Sequence, residues 1–390
     1  MVKSIDDHEK QFDLIVIGGG IHGLIAGLLA AENGRRTLLL EKGRIGEAAT
    51  GGWFGILHGG LRYLQTLDVR RFRSSLVDSR WFLTRFPDLV AQQPFLMPLY
   101  GHDLKRPAVF RAAFAIERIL GFDRNWHVPQ SSKVARGRVL SVAEVRRHFP
   151  GVKRVGLQGG ALWEELVILD RQGLICALRA QTAVAGLALR EDTEVTGLQI
   201  KNGQVFGVMT KEGGYLAPAV VNATGAWSTK LAHRFDPKTP PLGHPALAFN
   251  ILLDRPAPTE VGLSLTQSTK DGRGMIFLYR SRCGRVFAGT DYLPFYDHPD
   301  RVIVPEAALA AFLGRLAEVV PSLEASVHDI VEVTSGLLPA AEPGSVHLRD
   351  SDMIYDHGRN GGPAGLVSLW GVKYTTAPSV ARRVLAKLLS

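Results

Sequence analysis

Hydrophobic positions begin as a short β-branched run at residues 13–17, D-L-I-V-I, which passes directly into G-G-G-I-H-G and then into an apolar stretch at 24–31. An apolar run, a glycine cluster and an apolar segment of helical length predict a strand, a tight turn and a helix. Asn33-Gly34 ends the helix, residues 37–40 (T-L-L-L) give a second strand, and Glu41 closes it. The chain therefore opens with a βαβ unit of about thirty residues. Residues 194–208 carry two apolar runs around Lys201-Asn202-Gly203-Gln204, the pattern of an antiparallel hairpin. Residues 220–225 read as a strand ending in a small-residue turn. Strand signals recur over 246–289 with little helical periodicity before Glu306, which predicts a mostly antiparallel sheet. The chain closes with a strand at 365–370, the turn G-V-K-Y-T-T-A-P, and a helix over 379–389.

Nucleotide-binding pieces thus lie at both ends with sheet-rich material between them. The expected fold is α/β (α+β overall), a Rossmann-like domain built discontinuously from residues 1–90, 155–235 and 330–390. A mostly antiparallel-sheet substrate domain takes 91–154 and 236–329. The uncharged run at 14–31 is long enough to suggest a membrane span, but it holds five glycines and His22. Before it, Lys3 and Lys10 face Asp6, Asp7, Glu9 and Asp13, so neither an export signal nor a span is expected.

Composition narrows the class. The 390 residues are 46% hydrophobic and 21% charged, which excludes disordered and fibrous chains and leaves room for two or three packed domains. The two cysteines, Cys176 and Cys283, make no disulfide framework or metal-binding pair, which points to a reducing, cytoplasmic setting. The formal charge of +9 is concentrated: residues 103–154 hold twelve lysines and arginines against four acids. Such a surface attracts anions, whether substrate phosphate or acidic lipid headgroups. Within it, residues 107–120 predict a helix with Val109, Ala113, Ile116 and Leu120 on one face and Arg111 and Arg118 opposite, either an ordinary amphipathic helix packed on the domain or one resting on the inner face of an anionic membrane. No nucleic-acid-binding motif accompanies the charge, and none is expected to act.

The chemistry starts at Gly18-x-Gly20-x-x-Gly23, which follows a strand and opens a helix. Gly18 allows the turn, Gly20 lets the backbone approach a pyrophosphate, and Gly23 permits close helix–strand packing, while the helix end offers amide donors. Glu41, at the end of the next strand, is placed to accept hydrogen bonds from an adenosine ribose. These residues do not separate NAD from FAD. The strings Leu57-His58-Gly59-Gly60-Leu61-Arg62-Tyr63 and Gly371-Val372-Lys373-Tyr374-Thr375-Thr376 do, and with them the sequence resembles the FAD-dependent glycerol-3-phosphate dehydrogenases of the D-amino-acid-oxidase-like flavoprotein superfamily. Residues 221–227 (V-N-A-T-G-A-W) and Gly289-Thr290-Asp291 support the match.

The resemblance implies non-covalent FAD, with Gly18, Gly20, Ile21, His22 and Gly23 at the pyrophosphate and Glu41 and Lys42 at the ribose. It also implies that Thr50, Gly51, Gly52, Leu57, His58 and Gly59 pass the pyrophosphate and flavin. Val195, Ala223, Thr224, Gly225, Trp227 and Gly336 would line the nucleotide, and Gly371, Lys373, Tyr374 and Thr375 the flavin. His58, Arg62, Tyr63 and Lys373 are the implied catalytic group, with His58 the first candidate base and Lys373 the second. The implied reaction is oxidation of a CH–OH group in a small polar polyol or hydroxy acid, with quinone, oxygen or another electron acceptor. Four departures from the family pattern are expected: Leu338 in place of the substrate-contacting arginine, the bulkier G-G-W-F-G-I at 51–56 in place of a serine-rich stretch, Ala377-Pro378 in place of a further arginine, and no counterpart of the C-terminal helical domain. Arg280 and Arg282 leave two readings open, a restored anion site or, the commoner outcome for two arginines in a hairpin, solvated side chains. Oxidation of CH–NH in an amine or amino acid, or a flavoprotein subunit without substrate chemistry, remain open alternatives.

Overall fold

In the computed structural model the described residues are 10–389 except 65–67, 103, 169 and 270–271, and the side chains of Arg62 and of 267–273 are also outside the description. The strand Leu14–Ile17 stands in the middle of a six-stranded sheet ordered Met353–Asp356, Leu366–Trp370, Ala219–Asn222, Leu14–Ile17, Thr37–Leu40, Ala188–Arg190. All neighbours run parallel except Met353–Asp356. Every residue of Leu14–Ile17 is buried because alternate side chains serve opposite faces. Leu14 and Val16 join the cluster under the helices Ile21–Glu32, Arg171–Val184 and Ala377–Leu388. Ile15 and Ile17 meet Val205, Val208 and Tyr215 of a three-stranded antiparallel sheet, Val195–Lys201, Gln204–Thr210 and Gly213–Leu216. Asn202-Gly203 makes the expected hairpin turn within it.

A nine-stranded, mostly antiparallel sheet forms the second layer system, ordered Ile330–Ala340, His244–Pro256, Arg285–Pro294, Gly272–Arg280, Gly262–Thr269, Val90–Leu99, Gly159–Ile168, Ile56–Leu57, with Arg138–Leu140 paired to Gly159–Ile168. Three of its strands, Ile56–Leu57, Gly159–Ile168 and Ile330–Ala340, belong by sequence position to segments grouped with the nucleotide-binding end. Along His244–Pro256 the alternation is decisive. Phe249, Ile251 and Leu253 pack on the helix Glu306–Val319, where Phe249 and Phe312 meet edge to face at 5.7 Å. Ala248 and Asn250 point the other way, into a large cavity between the two sheets.

Two helices differ from expectation. The last runs Ala377–Leu388, starting two residues early because Pro378 is well suited to a first helical turn. Pro107–Leu120 has the expected bounds, but its inward face is Phe110, Ala113, Phe114 and Glu117. The Phe110–Phe114 pair enters the aromatic cluster under the sheet, and Glu117 is buried against Arg124, so Ile119 is left 73% exposed. Ile116 and Leu120 pack only partly, on the small cluster of Leu64, Phe72 and Leu76.

Candidate active site

The cavity has a volume of about 2110 Å³, roughly twice the upper end of ordinary small-molecule pockets. It opens at the C-terminal ends of the parallel strands, where doubly wound sheets hold their ligands. Gly18 has φ +105°, and a Cβ there would lie 2.7 Å from the Ala223 carbonyl oxygen. Gly23 stands against Gly18 O, so a Cβ would come within 1.9 Å, which makes it a packing residue behind the cavity wall rather than part of it. The helix Ile21–Glu32 starts without a capping side chain and without an acid in its first turn. Its Ile21 N–H donates to Thr50 Oγ1 at 2.9 Å. Glu41 accepts from Gly19 N–H at 2.6 Å and from Gly43 N–H at 2.9 Å, bracing the glycine turn with the same carboxylate. Lys42 lies over the Trp227 ring at 4.0 Å and pairs with Asp300 at 2.6 Å, across the rim.

The C-terminal turn is held from behind. Asp352 Oδ1 accepts from Val372 N–H at 2.9 Å and from Thr376 Oγ1 at 3.2 Å, so it grips both sides of Lys373. Lys373 Nζ donates to the Tyr63 hydroxyl and lies 4.4 Å from that ring's centre. Tyr374 stacks on Trp53 at 3.7 Å, and burial pushes its phenol far up from the ordinary value. Gly371 leaves room for the His22 imidazole, which a Cβ would meet at 2.1 Å. His22 is held below its ordinary pKa by burial, with Asp352 opposing and Arg383 adding to the fall, and its buried Nε2 has no hydrogen-bond partner among the described residues.

His58 sits on the substrate side of the same cavity. Antiparallel pairing of Leu57 with Leu166 places the next residue, His58, opposite Glu165. Glu165 accepts from Gly59 N–H at 2.8 Å and from the Trp163 indole N–H at 2.9 Å, with His58 Nδ1 at 3.7 Å. Burial alone pushes the Glu165 carboxyl up, but His58 and these two donors outweigh it, so its pKa lies below the usual carboxylate value. The other face of His58 meets Phe277 at 5.7 Å. Arg62 lies in the short helix Leu61–Leu64, and its side chain falls outside the described residues.

Ile21, Gly20, Gly52, Val195, Thr224, Gly225, Gly336 and Thr375 also reach the cavity wall. Leu57 is fully buried in the core, Gly51 turns to a smaller neighbouring cavity, and Gly59 serves Glu165. Arg280 and Arg282 do not restore an anion site. They pair with Glu260 at 2.6 Å and Asp170 at 3.9 Å on the outer surface, because their hairpin end points away from the cavity. Leu338 does face the cavity, near Ala248 and Gly336 on the floor. Glu165, Asp352 and Asn250 were not singled out from the sequence. Asn250 donates to Gly52 O at 3.1 Å and accepts from Thr290 Oγ1 at 2.7 Å, pinning the turn to the floor.

The pattern of the FAD dependent oxidoreductase family matches residues 13–384. The chain belongs to the FAD-dependent oxidoreductases. Glycerol-3-phosphate dehydrogenase 1 of Mycobacterium tuberculosis is 28% identical, over 97% of this chain and 73% of that protein. The structure is similar to glycerol-3-phosphate dehydrogenase from Bacillus halodurans complexed with FAD, with a TM-score of 0.71 and 21% identity. That match covers 97% of this chain and 64% of the Bacillus chain, so this oxidoreductase spans less than two thirds of it. L-proline dehydrogenase from P. horikoshii has the same TM-score of 0.71 at 18% identity, covering 96% and 92% of the two chains. At these identities both neighbours speak for the fold alone, whose common cofactor in the family is FAD.

Proposed function

We propose that this oxidoreductase holds FAD along the cavity and oxidises a CH–OH group of a small hydroxy compound, with His58 as the base. The residues present fit a dinucleotide: an uncapped helix end, a glycine turn in which a Cβ would clash with backbone, and a cavity reaching from Glu41 to Gly371. Gly18, Gly20 and the helix end take the pyrophosphate, and Glu41 and Lys42 take the ribose. Thr50 and Gly52, Thr224 and Gly225, and Gly371 to Thr375 line the remaining length. The cofactor side rests on the six-stranded sheet and the substrate side on the nine-stranded one.

The observation that carries the reading is His58 backed by buried Glu165, in one cavity with Lys373 backed by Tyr63. FAD, when bound, supplies the acceptor for the hydride that leaves the carbon. Glu165 keeps the proton on His58 Nδ1, which leaves Nε2 as the lone pair that takes the hydroxyl proton. Lys373, held by Tyr63 in the same cavity, stabilises negative charge developing beside it.

One observation favours a second reading. His58 meets Phe277 and the cavity floor also presents Met275 and, further along, Leu338, an apolar surface that suits a less charged substrate than a phosphorylated polyol. Oxidation of CH–NH in an amine or amino acid uses the same base and the same wall. Anaerobic titration of the FAD-loaded chain with glycerol 3-phosphate, 2-hydroxy acids and amino acids decides between them. Bleaching of the flavin band by a hydroxy compound supports the first reading, bleaching only by amino acids the second, and bleaching by none a subunit without substrate chemistry.

For the electron acceptor we propose a quinone reached at an anionic membrane surface. Among the described residues no helix is long and apolar enough to cross a membrane. Ile119, Phe122 and Trp126 are 73%, 62% and 55% exposed, in the basic 103–154 segment that also exposes Arg111, Arg118 and Lys133. Exposed apolar side chains in a basic segment suit peripheral contact with acidic headgroups.

A further inference from the structure

Behind the two loops proposed to hold the cofactor runs a buried polar chain that the chemistry above does not use. Asp236 Oδ2 lies 2.8 Å from His357 Nδ1, and His357 Nε2 lies 2.9 Å from Ser368 Oγ. Asn222 Nδ2 donates to Ser368 Oγ at 3.1 Å and to the Ser228 carbonyl at 2.9 Å. Asn222 Oδ1 accepts from the Thr224 hydroxyl at 2.7 Å and from Thr224 N–H at 3.4 Å. Asn222, His357 and Ser368 are fully buried and Asp236 is 6% exposed.

The direction of the chain is fixed by the backbone groups at its end. A carbonyl at Ser228 requires the amide nitrogen of Asn222, and an N–H at Thr224 requires its oxygen. Ser368 Oγ therefore accepts from Asn222. At the other end the Asp236 carboxylate can only accept, so Nδ1 of the neutral His357 ring donates to it and Nε2 takes the Ser368 proton. The order Asp–His–Ser is that of an acyl-transfer triad, but Ser368 is sealed and lines neither cavity, so no acyl group can reach it.

Its place in the sheet suggests another task. Asn222 and Ser368 are directly paired residues of neighbouring parallel strands. The loop at 223–225 leaves immediately after Asn222, and the loop at 371–375 leaves three residues after Ser368. Four buried polar groups contribute little net stability over apolar packing, but a fully satisfied network specifies one geometry.

We propose that Asp236, His357, Ser368 and Asn222 are positioning residues that set the two cofactor loops, through Thr224 on one side and the end of the Leu366–Trp370 strand on the other. This rests on the reading that those loops hold FAD. An asparagine at 357 reaches the Nδ1 position and keeps the Asp236 contact, whereas a glutamine reaches Nε2 and keeps the Ser368 contact. The test is FAD titration of the purified full chain, followed by quenching of flavin fluorescence, with thermal unfolding of each variant as the companion measurement. His357→Asn and Ser368→Ala are expected to raise the Kd for FAD roughly ten-fold or more. His357→Gln and Ser368→Thr should stay within about three-fold of the wild type, on the same conversion. Unchanged FAD affinity in His357→Asn and Ser368→Ala overturns the proposal. So does equal weakening by His357→Asn and His357→Gln in step with lost thermal stability, which marks a merely structural network. A wild-type chain that takes up no FAD instead sinks the cofactor reading, and the proposal falls with it.

Discussion

His58 and Glu165 stand opposite each other because Ile56–Leu57 pairs antiparallel with Val167 and Leu166, and the register carries one residue further. His58 Nδ1 then lies 3.7 Å from Glu165 Oε1, with the histidine side chain 45% exposed toward the cavity and the acid 6%. A carboxylate that is buried, ionised and fixed by two N–H donors can hold one tautomer of an open imidazole.

Glu165→Gln keeps the shape and removes the charge. The expected result is FAD binding like the wild type, with flavin reduction slowed about 10²-fold, the usual size of a general-base effect. Stopped-flow reduction of the loaded variant measures it, and Glu165→Asp should recover part of the rate.

Leu338 occupies a floor position where the resemblance places an arginine. Leu338→Arg should lower KM for glycerol 3-phosphate by about thirty-fold or more, the worth of one desolvated charge pair. Steady-state kinetics with glycerol 3-phosphate and with an uncharged analogue separate this from a general change, because only the phosphorylated substrate should gain.

Asp78, on the helix Val69–Arg85, is buried against the last helix, and its pKa is pushed up to about 7, chiefly by burial. Ser379 and Arg382 pull it down and Asp352 pushes it further up. The unfolded carboxyl titrates near 3.9, so between about pH 4 and 7 the folded state holds a proton the unfolded state has lost. This contribution is therefore present below about pH 4 and is lost as pH rises through 7. Asp78→Asn should flatten the fall in Tm between about pH 4 and 7, which differential scanning calorimetry at several pH values reads directly.

Phe122 and Trp126 meet edge to face at 5.4 Å on the surface. The double variant Phe122→Ser, Trp126→Ser should lose at least half of its co-sedimentation with vesicles rich in anionic lipid while keeping its flavin spectrum. Binding by the wild type should also weaken between 0.05 and 0.5 M salt, roughly as screening demands.

Much of the fold was legible because its signals are local. The glycine spacing at 18–23, the Asn202-Gly203 hairpin and the Glu306 helix start each need only a few neighbouring residues. The helix Pro107–Leu120 was legible in extent but not in rotation, since Phe110 and Phe114 follow aromatic partners on a distant sheet. Glu165, Asp352 and Asn250 escaped for the same reason: register or a tertiary turn delivers each to its partner, and nothing adjacent in sequence marks it. Of the two readings open for Arg280 and Arg282, the solvated hairpin holds, because a charge pattern alone carries no geometry that would bring it to the site.

The most direct test of the account is anaerobic reduction of FAD-loaded wild type and His58→Ala by the best hydroxy substrate, followed at the flavin visible band. The account predicts that the wild type bleaches and that His58→Ala, with FAD bound and its spectrum intact, bleaches at least about 10²-fold more slowly. Bleaching at the wild-type rate in His58→Ala, or a wild-type chain that does not bind FAD, would contradict it.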